Sequence, residues 1–428
     1  MLLIMAWRNL WRNRRRTLLT VAAISLGLAV LITMVSFTEG FIDMFVDQLA
    51  RSSMGHIQLH HPEYRERQST QLVIPSASKV LEAIESTPGV KAASPRLMFS
   101  GSIRSSLSST VRVVRVLAVD PERERHFSAL PEKLVAGGFV VPPPEALEPD
   151  APERFRQRKG ILLGAKLARQ LKVGIGSRVR LDCAGFQGAT VALAFVVTGI
   201  IQTDTDAFDS QMVMVALKDF QEATGADDTV HEISVMVHDS RAIAPVVDDI
   251  RQRIAAQGLD STEVLAWYDV SPEIAQMFAM VDSWNGLLYL LMLTILSAGI
   301  LTTLFMVVFE RQREFGVQLA LGARGRSLFA GIMCEALLIG LLAMAIGLVV
   351  GGLCVAYLTV WGLDLSFIVD GFEFNGMFIE NVYRGSASLK VFVEPTVVVL
   401  AGILLFALWP AVRVARMKAL AAIRCENV

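Results

Sequence analysis

Residues 310–328 read Glu-Arg-Gln-Arg-Glu-Phe-Gly-Val-Gln-Leu-Ala-Leu-Gly-Ala-Arg-Gly-Arg-Ser-Leu, and the reading of this charged, glycine-punctuated stretch decides the rest of the chain. An apolar run from Gly286 to Phe309 precedes it, and a longer, glycine-rich one follows. A link this short between two membrane-length runs cannot hold a domain. It can hold one short helix lying against a membrane surface. Phe315 and Leu319 fall on one face of such a helix at i, i+4 spacing. Gly322 is placed to end it as a left-handed cap, and Ser327 to cap the helix that follows. The spacing leaves two readings open. One is a helix that docks an apolar knob into another protein's groove; the other is an ordinary turn between two spans.

The chain has 428 residues, of which 53% are hydrophobic and 19% charged, with a mean hydropathy of +0.49. That is too apolar for an ordinary soluble protein and too charged for one made only of spans. A membrane part joined to a sizeable water-exposed part follows. The formal net charge of −1 hides a segregation. Basic residues crowd the N-terminus (Arg8, Arg12, Arg14, Arg15, Arg16), the link (Arg311, Arg313, Arg324, Arg326) and the C-terminus (Arg413, Arg416, Lys418, Arg424). All three places flank apolar runs, so the positive-inside rule puts all three, and both termini, in the cytoplasm. These residues read as topology signals and not as a nucleic-acid patch. Of the four cysteines, only Cys183 falls in the part assigned to the outside. The outer domain therefore rests on packing without an internal disulfide.

Taken in order, residues 1–17 read as an amphipathic cytoplasmic helix in the membrane interface. Trp7 and Trp11 share a face with Ile4 and Leu10 and, with Arg8 and Arg12, serve as interfacial anchors. Residues 18–52 hold a first span followed by a stalk, with Phe41, Phe45 and Leu49 at helical spacing. Residues 53–269 have the composition of a mixed α+β domain of two lobes lying outside the cytoplasm. Strands are predicted near Gly55–His60, Val90–Ile103, Val111–Val119, Arg178–Asp182, Val191–Ile201 and Met212–Ala216. A loop is predicted over Val141–Lys159. Residues 270–309 form a second stalk and span, 310–327 the cytoplasmic helix, and 328–360 the third span. In that span Gly347 and Gly351 make a small-residue face for close helix contact, with Gly340 a further packing glycine. Residues 361–394 are an outer loop that alternates aromatic and polar residues (Phe372, Phe374, Phe378, Tyr383), the pattern of a hairpin lying at the membrane surface, and 395–428 hold a fourth span and a cytoplasmic tail. Glu335, near the inner end of the third span, is expected to pack against or pair with a neighbouring helix.

Glu314, Phe315, Gly316, Leu319, Ala320, Leu321, Gly322 and Ala323 resemble the E-I-G-x-x-x-A-L-G-A signature of the FtsX-like permease family, which includes MacB and the lipoprotein-releasing permeases LolC and LolE. Further likeness lies in Arg8-Asn9-Leu10 through Arg16-Thr17, in Glu335-Ala336-Leu337-Leu338, and in Pro410-Ala411, Arg413 and Ala419-Leu420. The segment Gly160 to Gly176-Ser177 is similar to an element of the family's outer domain. The resemblance implies the membrane subunit of an ABC transporter. Glu314, Phe315, Gly316, Leu319, Leu321 and Gly322 would then couple it to a dimer of ABC ATPase subunits. ATP and Mg would be bound by that partner, with no cofactor in this chain. Further implied partners are a second permease copy or paralogue, a lipid-anchored or hydrophobic substrate, membrane lipids, and a periplasmic carrier or adaptor.

No G-x-x-x-x-G-K-[ST], H-E-x-x-H or G-x-S-x-G occurs, so the residues suggest neither a phosphate cradle nor a catalytic site. His56, His60 and His61 lack a metal-ligand pattern. Asp204, Asp206 and Asp209 lack the spacing of a calcium loop and read as a solvated acidic loop. The expectation is a multi-pass inner-membrane permease that converts ATP hydrolysis elsewhere into motion of its outer domain. Release of lipoproteins or a similar lipid-like substrate is favoured. Export of peptides or small hydrophobic compounds, and signalling to cell-wall enzymes without transport, are the alternatives.

Overall fold

The computed structural model describes residues 2–67, 69–105, 110–140, 159–186, 190–203, 206–259, 261–364, 372–374, 377–379 and 382–419. The chain divides into two compact units. One comprises Met1–Asp43, Gln276–Phe367 and Val382–Val428, the other Met44–Ala275 and Ile368–Asn381.

Among the described residues, the first unit is built on four helices long and apolar enough to cross a membrane, the first to fourth membrane helices: Met5–Leu49, Pro272–Glu310, Gly325–Val360 and Leu389–Ala415. The shortest has 27 residues, and at about 1.5 Å of rise per residue it exceeds the hydrocarbon thickness. It begins at Leu389, before the 395 boundary expected from sequence, and carries Pro395 and Pro410 inside it. Proline is a weak stop signal here, because packed neighbouring helices can satisfy the backbone groups it frees. Leu28, Ile32, Ala343, Val391 and Ala407 are among the buried residues of the apolar cluster joining these helices.

The N-terminal segment departs from the expected separate interfacial helix. Helix Leu2–Leu10 passes through a single tight turn, Trp11–Asn13, into helix Arg14–Leu49, and the flanking Leu10 and Arg14 keep right-handed helical dihedrals. No glycine or proline occurs before Gly27, so nothing in the chain breaks the helix. Near the other end, Tyr383 leaves the expected membrane-surface hairpin and is buried. Its ring lies 5.9 Å from that of Phe37 and 5.8 Å from that of Phe41. The Ser386 N–H donates to the Ser36 carbonyl at 2.9 Å, and Ser36 Oγ returns a bond to the Ser386 carbonyl at 2.8 Å. Phe372–Phe374 and Met377–Ile379 pair as a short hairpin; the ring positions expected for Phe372, Phe374 and Phe378 lie outside what is described.

The second unit is a mixed sheet of ten strands. These are β1 (Ile57–His60), β2 (Val90–Ser105), β3 (Val111–Val119), β4 (Leu134–Gly137), β5 (Lys159–Gly164), β6 (Arg178–Ala184), β7 (Thr190–Ile201), β8 (Met212–Ala216), β9 (Glu232–Val237) and β10 (Glu263–Ala266). Their order is β10-β1-β9-β2-β3-β8-β5-β7-β4, with β6 pairing β2 and β7. The β3/β8 and β5/β7 pairs are parallel. Strand pairing makes one continuous sheet bearing two buried apolar clusters, one centred on residues such as Leu97, Val235 and Phe195, the other on Val119, Leu162 and Met214. Helices Ala77–Glu85 and Ile243–Ala256 bury Val80, Leu81, Ile84, Val246, Val247, Ile250 and Ile254, the stripe expected of surface helices on a sheet. Of the expected loop, residues 141–158 lie outside the described residues, as does the tail beyond 419, and Lys159 begins β5.

The chain enters and leaves this sheet side by side. β1 lies between β9 and β10, and Ile57 faces Ala266 across the antiparallel ladder. The Trp267 N–H then donates to the His56 carbonyl at 3.0 Å.

A buried ionic group stands beneath β2. Arg96 Nη2 lies 2.7 Å from Glu124 Oε1 and Arg96 Nη1 lies 3.6 Å from Glu232 Oε1. Ser94 Oγ donates to Glu124 at 2.6 Å, and the guanidinium lies 4.9 Å from the Phe127 ring centroid. Pairing and hydrogen bonds are what make such burial tolerable. Glu124 sits on helix Pro121–Phe127, which the sequence reading passed over although Asp120 caps it by accepting from the Glu122 and Arg123 N–H groups.

Candidate functional site

The stretch that opened the sequence reading folds as helix Gln312–Ala320, set between the second and third membrane helices. Arg311 is the sole residue between the second membrane helix and this hairpin helix. Gly322 has φ 93°. Its N–H donates to the Leu319 carbonyl at 3.1 Å and the Ala323 N–H to the Gln318 carbonyl at 3.0 Å. This double closure is a Schellman motif, and a side chain at Gly322 would be strained in the left-handed region. Ser327 does not cap the next helix. That helix starts at Gly325 with Arg324 at the N-cap and no side-chain capping bond, so Ser327 already lies in its first turn.

Phe315 is the main correction to the sequence reading. It is 4% exposed and packs with Val308, Leu328, Ile332, Ala411, Val414 and Met417, while Leu319 is half-buried against the same cluster. The ring therefore faces the chain's own second, third and fourth helices and is not a free knob. Gly316 is buried beside it. The outward apolar groups are Leu321, 83% exposed, and Val317, 46% exposed. Periodicity named the correct apolar face of the helix but not which side of it met protein.

Charge around the hairpin is organised. Arg12 Nη1 lies 2.8 Å from Glu314 Oε1, and Arg16 Nη1 lies 2.9 Å from Glu310 Oε2. Arg311 reaches Glu314 at 3.1 Å and Glu335 at 3.5 Å, and its guanidinium stands 5.1 Å from the Phe315 ring centroid. Partial burial pushes the Glu314 carboxyl up, but hydrogen bonds from Arg12 and Arg311 together outweigh it and hold the group below the usual carboxylate range. Glu335 is thus paired within the chain. The roles of Arg16, Arg311 and Glu310 are not among those expected from the sequence. A signal existed: two arginines four apart and two glutamates four apart on segments assigned to the same membrane side.

Gly347 and Gly351 meet the first membrane helix. A Cβ on Gly347 would lie 3.0 Å from the Ser25 carbonyl oxygen, and one on Gly351 would lie 3.1 Å from Ile32. Gly340 instead faces the fourth helix, 3.2 Å from Ile403 by the same construction. At the N-terminus the expected anchor face is split. Trp7 and Trp11 are exposed and in edge contact at 5.8 Å, whereas Leu10 is buried in the four-helix cluster. Arg8 is exposed, and Arg12 is engaged with Glu314.

The histidines and aspartates named earlier have separate partners. His56 accepts from the Val237 N–H and stands 3.5 Å from Asp47. His60 bonds Gln58 and stacks on Tyr64. Asp209 is buried and accepts from the Thr203 backbone and hydroxyl, so it is not part of a solvated loop. Asp206 pairs with Lys166, and Asp204 lies outside the described residues. Among the described residues no three His, Cys, Asp or Glu side chains gather as a metal site would require.

Residues 17–253 match the model of the MacB-like periplasmic core domain, and residues 286–419 that of the FtsX-like permease C-terminal region. The chain is 23% identical over 422 residues to the lipoprotein-releasing system transmembrane protein LolC of Xylella fastidiosa strain Temecula1, covering 95% of this chain and 93% of that one. It is 24% identical over 381 residues to the macrolide export ATP-binding/permease protein MacB of Brucella melitensis, covering 85% of this chain and 54% of that one. It thus spans about half the length of that MacB relative. The periplasmic region of MacB from Actinobacillus actinomycetemcomitans aligns at a TM-score of 0.34 and 13% identity, over 53% of this chain and 94% of that one.

Proposed function

The chain belongs to the FtsX-like permease family with a MacB-like periplasmic core domain, an ABC transporter permease of the MacB and LolC type, and on that premise we propose that it releases lipid-anchored substrates from the inner membrane. The hairpin helix Gln312–Ala320 is the handle on which a separate ATPase dimer acts, with Leu321 and Val317 as the contact. In this reading ATP-driven closure of the two motor subunits moves paired hairpins together. The long helices carry that motion to the outer domains as rigid elements. Both termini and the hairpin then face the cytoplasm, in keeping with the positive-inside rule.

One observation carries the reading. The hairpin helix ends in a Schellman closure that leaves Leu321 83% exposed between two membrane-length helices. An apolar side chain held out at a capped helix end is suited to a partner's groove. The lipoprotein substrate is favoured because the likeness to the LolC relative runs over 95% of this chain, against 85% for the MacB relative. Export of a hydrophobic compound is the second reading, supported by the MacB match. The test is co-purification with the ATPase of the same operon, followed by reconstitution with labelled lipoprotein. Release on ATP addition is expected. An ATPase-bound complex that frees no lipoprotein would move the substrate assignment to the second reading, and a chain that binds no ATPase would remove the proposal.

A further inference from the structure

The apolar cluster around Phe315 contains residues of the second, third and fourth membrane helices and, among the described residues, none of the first. What joins the hairpin to the first helix is charge. Arg12, in the tight turn Trp11–Asn13, meets Glu314 on the hairpin helix at 2.8 Å, and Arg16, in the helix that follows, meets Glu310, the last residue of the second membrane helix, at 2.9 Å. The two pairs straddle the Arg311 joint and so hold the inner end of the first helix against both sides of the bend between the second helix and the hairpin. Arg311 closes the set by bridging Glu314 and Glu335. Three cations and three carboxylates from three segments thus form a neutral assembly.

Isolated exposed ion pairs contribute little, but this assembly is graded in burial. The Arg12 and Glu314 side chains are 59% and 43% exposed, whereas Arg311 and Glu335 are 15% and 7% exposed. Losing Arg311 would strand a buried carboxylate. The Thr17 hydroxyl further steadies the inner turn of the first helix by donating to the Leu10 carbonyl at 2.7 Å. From Arg14 that helix runs unbroken to Leu49.

We propose that this ionic clasp locks the hairpin helix to the first membrane helix so that the two are displaced as one body, with Arg12, Arg16, Glu310 and Glu314 as positioning residues for coupling. The inference rests on the hairpin being the motor's handle. It deepens that reading by naming the side chains through which a push on the handle reaches the first helix. The second and third helices receive the same push through the backbone and the Phe315 cluster.

The test uses the full chain, freed of its own cysteines, with spin labels at Leu19→Cys and Ala320→Cys, in lipid nanodiscs. Pulsed-EPR distances between the labels are measured without the ATPase, then with it, before and after vanadate trapping. The clasp predicts a narrow distribution that does not move on trapping. Arg12→Glu with Arg16→Glu should lose the narrow distribution, and so should Glu310→Arg with Glu314→Arg. Exchanging the Arg16–Glu310 pair alone, Arg16→Glu with Glu310→Arg, leaves Arg311 on Glu314 and Glu335 and should keep the narrow distribution that either single reversal loses, an outcome that a merely structural defect would not give. Arg12→Gln with Arg16→Gln serves should the reversed pairs fail to fold. Once the ATPase is bound, the disrupted variants should show a trapping-dependent distance shift that the original chain lacks. The proposal is overturned if the reversals leave the distribution narrow, or if the intact chain's labels move apart on trapping. Failure to bind ATPase would strike the functional reading alone, because the distances without it still report the clasp.

Discussion

Truncating Phe315 and truncating Leu321 should have opposite consequences, although the two side chains lie within two turns of each other. The Phe315 ring is 4% exposed and is enclosed by Val308, Leu328, Ile332, Ala411, Val414 and Met417. Phe315→Ala removes those contacts and leaves a void that backbone relaxation fills only in part, which costs about 3–5 kcal/mol at comparable sites. The Arg311 guanidinium over the ring adds about 0.5–1 kcal/mol to the loss. Leu321, 83% exposed, has few contacts to lose, so Leu321→Ala should change stability by no more than about 0.5 kcal/mol. Its effect should fall on the partner instead. A tenfold loss of ATPase affinity, about 1.4 kcal/mol, is the expected scale for one apolar contact. The assay is thermal unfolding of the purified chain in detergent alongside ATPase binding by titration. The reasoning fails if Phe315→Ala melts like the original chain while releasing the ATPase, because the ring would then be facing outward.

Replacing Arg96 by Met leaves Glu124 and Glu232 buried without their cation; a loss of about 3–5 kcal/mol is expected in denaturant unfolding, and a simultaneous Glu124→Leu change should recover part of it. Gly351→Leu forces the first and third helices apart at Ile32, and a destabilisation of about 1–3 kcal/mol should show as a lower melting temperature, with Gly352→Leu as the milder control. His231 is held neutral, chiefly because burial disfavours its charged form. Its Nδ1 accepts from the Met98 N–H at 3.0 Å and its Nε2 meets the Thr70 carbonyl at 3.0 Å. Since the folded state lowers its pKa from the ordinary 6.5, the unfolded chain takes up the proton more readily. Its stabilising contribution is therefore full above about pH 6.5 and is lost as pH falls through the depressed value. Unfolding followed from pH 8 to 5 should show this slope, and His231→Gln should flatten it.

The membrane helices were legible because an apolar run of such length has no other use, and β3 and β7 because they are runs rich in valine, isoleucine and alanine of strand length. Local rules also reached Gly322, whose position after the last periodic residue admits little besides a left-handed turn. What local rules missed is long-range. Whether Phe315 faces protein or partner depends on Ala411 and Val414, about a hundred residues away along the chain. The start of the fourth membrane helix at Leu389 was hidden by Pro395, whose local meaning is a stop and whose packed meaning is not. The joining of the ten strands β1–β10 into one sheet depends on β2, which pairs β3, β6 and β9 along different parts of its sixteen residues. No window of sequence carries that sharing.

Ile57 and Ala266 are partners on neighbouring antiparallel strands, one just after the first long helix and the other just before the second. The incoming and outgoing strands thus share a single doorway of the sheet. A tug that splayed them would peel this ladder from its end, one rung after another, since the bonds of an antiparallel pair lie across the strands. A tug applied to both together would load every rung at once and carry the whole sheet with it. The connectivity alone makes the unit yielding to separation and stiff to concerted travel.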